Sequence, residues 1–475
     1  MAPASPPMNA RASDDRGDGT TLAVVSAATA LVLVVFTVPL TTLTSTARAL
    51  AAGPGAQAWI LSAMSVGAAI GLLASGAIGD DYGRRRTFVA GAALLAVASV
   101  GAALSLSPLM LILCRIVQGI GGAALLSCGL GIIGQAYFGH ALTRASGIWA
   151  AALGAGVAAG PVLAAGLDGL AGWTAPHWFT GLAAGALALA GRFFLAESAA
   201  ARPRKVDLAG TILLGTGLAA LLGGLTQSRS GWDQPLVYAM LFGGMALLAA
   251  FVVVESRIAE PMLDIGLFRR PAFTGATIGA LASGAGVLSL MSLIPTLLER
   301  AMGVSTIATA FVLIAWSGTT AITAYAVRWL PASSETLLVG GLVGCAIGQV
   351  AVFGVAADSS VLRLLPGMIL AGAANGVLNA SLGRQAVASV PTDRSAMGSG
   401  ANNTARYVGS ATGITICAVL ITHAGAKGGV AGLLEGWNHA VLLSAAFSLL
   451  GALGIVCCRT SATPCQIEET ERLEA

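Results

Sequence analysis

The chain has 475 residues, 56% of them hydrophobic and only 10% charged, with a formal net charge of +4 and a mean hydropathy of +0.84. Soluble domains carry about 25% charged residues, so this composition excludes a soluble globular protein and assigns the apolar surface to a lipid bilayer. The small positive excess sits in short loops and implies no nucleic-acid partner.

A helix needs about 20 mostly apolar residues to cross roughly 30 Å of hydrocarbon, and only helices or closed barrels satisfy their backbone groups there. Residues 1-20 mix Pro, Ser, Asp, Arg and Gly without an apolar run, which reads as a cytoplasmic tail with no cleavable signal. Spans follow near 21-42, 58-79, 87-106, 108-136, 145-167, 177-195, 207-226, 235-254, 272-298, 305-327, 336-356, 361-382, 398-422 and 437-457, and 458-475 forms a second tail. A barrel is excluded, since its strands alternate in polarity over about ten residues and these runs do not. The expected fold class is therefore an all-α integral membrane protein of 14 transmembrane helices. Charged links divide it into a six-helix bundle at 21-195, a linker with two additional helices at 196-271, and a second six-helix bundle at 272-457.

Lysine and arginine are enriched in cytoplasmic loops, and eighteen of the twenty-five fall on one side of this layout, among them Arg84, Arg85, Arg86, Arg144, Arg384 and Arg394. Both termini are then cytoplasmic. Trp59, Trp173, Trp178, Trp232 and Trp437 fall at the expected outer interface. Seven scattered cysteines, none in an outer loop, imply reduced thiols and no metal site. Arginine outnumbers lysine 23 to 2, which fits a bacterial source and hence the bacterial cell membrane.

In chain order, the loop after the second span reads Gly76-Ala77-Ile78-Gly79-Asp80-Asp81-Tyr82-Gly83-Arg84-Arg85-Arg86. Gly76 and Gly79 allow close helix contact, Gly83 permits a tight turn, and Asp80 can accept bonds from a helix amino end or an arginine. In the fourth span Arg115 and Gln118 share a helix face. A charge at that depth costs at least about 2.5 to 3.5 kcal/mol, so Arg115 either faces a polar cavity or snorkels to the outer surface. Under the cavity reading, Arg115→Ala removes transport more than stability. The fifth span carries Gly147, Gly156, Gly160 and Pro161. Small residues let helices approach, and the proline opens the backbone ladder. Phe36 in the first span and Trp316 in the tenth offer rings for stacking on an aromatic ligand, or simply pack in the core. Asn402-Asn403-Thr404-Ala405-Arg406-Tyr407-Val408-Gly409 opens the thirteenth span, with Arg406 either facing a cavity or structural.

These motifs resemble those of the major facilitator superfamily over about residues 20-460. The loop matches G-x-x-x-D-x-x-G-R-R, the fourth span R-x-x-Q-G, and the fifth the antiporter signature G-x8-G-x3-G-P, with Ala164-Ala165 in place of its closing glycines. The thirteenth span is similar to the N-T-x-R-x-x-G run of fourteen-span drug:proton antiporters. The resemblance implies a monomeric multidrug or antibiotic efflux transporter without cofactors, exporting a hydrophobic or amphipathic small molecule by alternating access and proton antiport. Asp80, Arg84 and Arg85 would latch the cytoplasmic side; Arg115, Gln118 and Arg406 would serve the cavity or coupling; Phe36, Trp316 and Asn402 would touch substrate.

One departure bears on coupling. Relatives in that subclass usually carry an aspartate in a first-span pattern close to D-x-T, where this chain reads Val35-Phe36-Thr37. No Asp or Glu falls near mid-membrane in any expected span, and His140, His177, His423 and His439 are placed near interfaces as solvated side chains. With only Arg115 and Arg406 as deep charges, an anionic or neutral amphipathic cargo is favoured over a multivalent cation. The loss of the acid keeps open a second reading, a non-transporting membrane receptor or assembly protein of the same fold. An ATP-driven pump is disfavoured by the absence of a P-loop, and an enzyme by the absence of a catalytic constellation.

Overall fold

The computed structural model describes residues 19–199, 207–228, 231–258, 261–356 and 358–460, with no strand among them. Nearly all of the two expected tails lies outside the described residues, as do Arg11, Arg16, Arg202, Arg204, Lys205, Arg229, Arg472 and Cys465.

The chain opens with α1 (Gly19–Thr37) and α2 (Pro39–Ala49), which together cover the first expected span. They divide at Pro39, whose missing N–H leaves the carbonyl of Val35 without its helical partner. Then come α3 (Pro54–Tyr82), α4 (Arg84–Ala103), α5 (Pro108–Ala136), α6 (Gly139–Ala171) and α7 (Ala175–Phe194). Proline sits in the first turn of α3, α5 and α7, where its fixed φ suits a helix start. Gly83 alone joins α3 to α4, at a φ of 124° that a side chain rarely adopts. The inserted pair is α8 (Leu208–Gln227), whose first turn is capped by Asp207, and α9 (Pro235–Glu255).

The second half comprises α10 (Pro271–Ala282), α11 (Ser289–Thr296), α12 (Thr306–Ala326), α13 (Ser334–Ala351), α14 (Leu365–Ala388) and α15 (Ser395–Thr460). The expected span at 272-298 is interrupted by π-helical turns at Ser283–Leu288 and Leu297–Ala301. The first of these lies where α15 presses in: a Cβ on Gly284 would strike the backbone of Arg406 and Ser410. The last two expected spans are arms of α15 that reverse at Gly429, φ 59°. Past that turn, Gly432 and Gly436 bring the second arm against the backbone of Ala424, Leu420 and Ile421 on the first.

Thirteen helices among the described residues are long and apolar enough to cross a membrane. Helix α7, 20 residues long, takes the place of the remaining expected span and packs on α4 and α1. Its first turn buries His177, which is 3% exposed against Trp173, with ring centroids 6.2 Å apart. The expectation of a solvated His177 is thus overturned, whereas His140, His423 and His439 are exposed. Trp437 is fully buried and donates Nε1 to the carbonyl of Val352, just past the end of α13, at 3.1 Å.

One apolar core joins α1 and α3 to α7 around Leu125, Leu126, Leu130 and Phe88 and takes in Ala324, Ala380, Ala386 and Tyr407 of the second half, and a second joins α10 to α15 around Leu290, Ile294, Leu342 and Leu378. The inserted pair belongs to neither. Leu214, Leu218 and Leu222 of α8 pack on Val66, Ala69 and Leu73 of α3 and on Met397 and Ala401 of α15, so the pair lies along the seam between the bundles. Glycine sets how closely α3 and α5 approach, because a Cβ on Gly67 or Gly119 would enter the opposite backbone. Gly119→Val is expected to cost on the order of 1–3 kcal/mol or more and to lower the yield of monodisperse protein extracted in detergent. Wild-type yield and melting temperature would refute that packing role.

Candidate functional site

Asp80 is fully buried at the end of α3 and joins both halves of the molecule. Its Oδ1 accepts from Arg84 Nε at 2.7 Å and from the Ala396 amide at 3.1 Å, while Oδ2 accepts from the Met397 amide at 2.7 Å. Ala396 and Met397 open the first turn of α15, where free N–H groups and the positive end of the helix dipole favour an anion. Arg84 extends the link by donating to the Thr392 carbonyl at 2.9 Å and to Gln135 Oε1 of α5. One carboxylate and one guanidinium therefore tie α3, α4 and α5 to the start of α15.

Arg85 turns elsewhere. Its side chain approaches Glu197 Oε2 at 3.6 Å and donates to the Leu195 carbonyl at 3.4 Å, both on the link after α7 within the first bundle. Gly83 is needed here, since a Cβ would collide with the Glu197 carboxylate. Gly76 places α3 so close to α15 that a Cβ would meet the Ala396 carbonyl.

Around this pair the same end of the molecule is closed by contacts that the motif does not announce. Arg394 pairs with Asp81 at 3.4 Å, Arg384 donates to Thr143 Oγ1 at 3.0 Å, and Ser395 Oγ donates to the Gly131 carbonyl at 3.1 Å. Gly131 and Gly134 of α5 lie against Ala396 and Val387, with no room for a Cβ. We call this the basic end.

The antiporter-like glycines divide between two partners. Gly156 and Gly160 lie against Ala30, Val34 and Thr37 of α1, whereas Gly147, with Gly154, meets Ala324 and Ala321 of α12 in the other bundle. Pro161 lies inside an unbroken α6, and its carbonyl accepts from Thr41 Oγ1 at 3.2 Å.

Arg115 is fully buried and does not reach the surface. Its Nε donates to the Ile60 carbonyl at 2.8 Å, with the Val35 and Phe36 carbonyls at 3.5 Å. It therefore holds α1, at the backbone opened by Pro39, against α3. Gln118 donates Nε2 to Ser99 Oγ at 2.9 Å, and its Oε1 has no partner.

Arg406 lies deeper along α15, 7% exposed. Its Nη1 donates to Asn379 Oδ1 at 3.3 Å and its Nη2 to Asn403 Oδ1 at 2.8 Å, while Nε has no partner. Beside it, Tyr407 meets Phe36 of α1 with ring centroids 6.1 Å apart and planes at 57°. Of the other expected substrate contacts, Trp316 is buried in the second core with Nε1 unpartnered, and Asn402 is turned to the Ala276 carbonyl of α10 at 3.1 Å. Asn403 is the asparagine of the N-T-x-R-x-x-G run, whereas no motif marks Asn375 and Asn379. Asparagine, rare in apolar helices because its amide must be satisfied, is the signal that marks them. Among the described residues no three His, Cys, Asp or Glu side chains gather as metal ligands.

A family model described as Major Facilitator Superfamily matches residues 20–414. The puromycin resistance protein pur8 of Streptomyces alboniger is 29% identical over 413 residues, covering 85% of this chain and 82% of that protein. The multidrug resistance protein Stp of Mycobacterium tuberculosis is 27% identical over 374 residues, covering 78% and 69%. Among solved structures, the human organic anion transporter MFSD10 (TETRAN) superposes with a TM-score of 0.65 at 18% identity, covering 92% of this chain and 99% of that one, a likeness of fold alone.

Proposed function

Because the chain belongs to the major facilitator superfamily, we propose that it is a secondary transporter that exports a hydrophobic or amphipathic drug or antibiotic across a bacterial plasma membrane. It is a transport protein rather than an enzyme, and the relatives named for puromycin and multidrug resistance support export as the direction. The observation that carries the mechanism is the closed basic end. Asp80 and Arg84 there tie the first bundle to the start of α15, across the seam about which alternating access turns.

In this reading the basic end is cytoplasmic, both termini lie inside, and the protein acts as a monomer. Breaking the latch opens the bundles inward for loading, and its closure releases the cargo outward in exchange for protons. The purified full chain in lipid vesicles with an imposed pH gradient, screened with aromatic antibiotics, tests cargo and energy source together. Protein-dependent movement that stops when the gradient is collapsed is expected. Movement in neither gradient direction would overturn the reading, and movement indifferent to the gradient would remove its proton step.

A further inference from the structure

The two deep arginines are satisfied very differently. Arg115 gives its donors to three backbone carbonyls and is fully buried, so it is spent on holding α1 and α3 together. Among the described residues Arg406 has two neutral amide oxygens as acceptors, a guanidinium Nε without a partner, and no carboxylate ion pair. Ten residues separate it from Ala396 at the basic end, about 15 Å along the helix, which is the midplane of roughly 30 Å of hydrocarbon. A buried guanidinium with five donors and no anion is costly unless something supplies the missing charge.

Its surroundings fit a ligand rather than a missing side chain. Tyr407, the next residue, touches Phe36 of the other bundle, so Arg406 stands where the two halves meet and flat aromatic surface is at hand. Asn379 and Asn403 each accept from one Nη of the fork, and Asn403 is fixed in turn by donating to the Ser399 carbonyl at 3.0 Å.

We propose that Arg406 is the anion-binding point of the cargo site, and that the cargo is an apolar, aromatic molecule bearing a single negative charge such as a carboxylate or phenolate. This rests on the transporter reading for the word cargo, but the binding itself does not. A planar carboxylate takes two parallel bonds from a guanidinium, which Arg406 can offer from Nε and an Nη, whereas lysine offers only a point charge. Arg406 also lies on the helix whose first turn Asp80 holds, so a ligand drawn to the guanidinium acts directly on the element that the latch secures.

The test is equilibrium binding by the purified full chain in lipid nanodiscs, using anthraquinone-2-carboxylate and its uncharged methyl ester as probes. The wild type is expected to bind the carboxylate about tenfold or more tightly than the ester. Arg406→Gln should abolish that preference while keeping the ester affinity, and Arg406→Lys should restore part of it. Equal affinity of the wild type for the two probes overturns the proposal, even if the glutamine variant fails to fold. A preference that survives in Arg406→Gln overturns it as well. A preference eliminated by saturating chloride, with chloride alone raising the wild-type melting temperature but not that of Arg406→Gln, would assign the point to an inorganic anion instead. Absence of vesicle transport with the preference intact would count against export and leave this site standing.

Discussion

Asp80→Asn is expected to abolish export while the protein remains in the membrane at wild-type abundance. The substitution keeps the size of the side chain but removes its charge, and its amide turns N–H donors toward the Ala396 and Met397 amides that Asp80 now serves as acceptor. Arg84 is left buried, 1% exposed, without its carboxylate. Removing one partner of a buried pair costs on the order of 3–5 kcal/mol, here levied on the closed basic end alone. That is enough to shift a conformational equilibrium by about a hundredfold or more. Drug accumulation in cells, set against immunoblots of the membrane fraction, measures it. Export at the wild-type rate would show that the latch is not part of the cycle.

Arg115→Ala is expected to lose stability first and transport as a consequence. The side chain serves three carbonyls, and one of them, on Val35, has no helical partner because Pro39 has no N–H. Emptying the site leaves those acceptors buried and a void where a guanidinium stood, together on the order of 3–5 kcal/mol. The melting temperature in detergent should fall and the monodisperse fraction shrink, with Arg115→Lys recovering little because one ammonium cannot span α1 and α3. An unchanged melting temperature with export lost would return Arg115 to the role expected from sequence, in which transport suffers more than stability.

What the sequence discloses and what it withholds follow from the range of the interactions. The helices were legible because burial in lipid forces long apolar runs, and Gly83 and Asp80 because a one-residue turn and a helix-end acceptor demand those residue types. The partners of Asp80 were not, since Ala396 and Met397 act through backbone amides that carry no mark in their identity and lie 316 and 317 positions away. Arg85 looks like Arg84 in the motif, yet one more residue around the helix sends it to Glu197 instead of α15. Asn402 and Asn403 likewise differ by about 100° of helix rotation; one is consumed by α10 and the other supports Arg406. For Arg115 the sequence does carry a signal, because Pro39 announces an orphan carbonyl four residues earlier.

The inserted pair makes the molecule lopsided. Two rows of contact run between the bundles, one where α3 meets α15 and one where α6 meets α12, and α8 lies against the first. Thr415 donates to the Leu225 carbonyl at 3.3 Å and Trp59 to Gln227 at 3.3 Å, fastening that cover to both sides. The α3–α15 seam therefore carries a helical cover that the α6–α12 seam lacks, so the two lines along which the bundles meet are unequally braced.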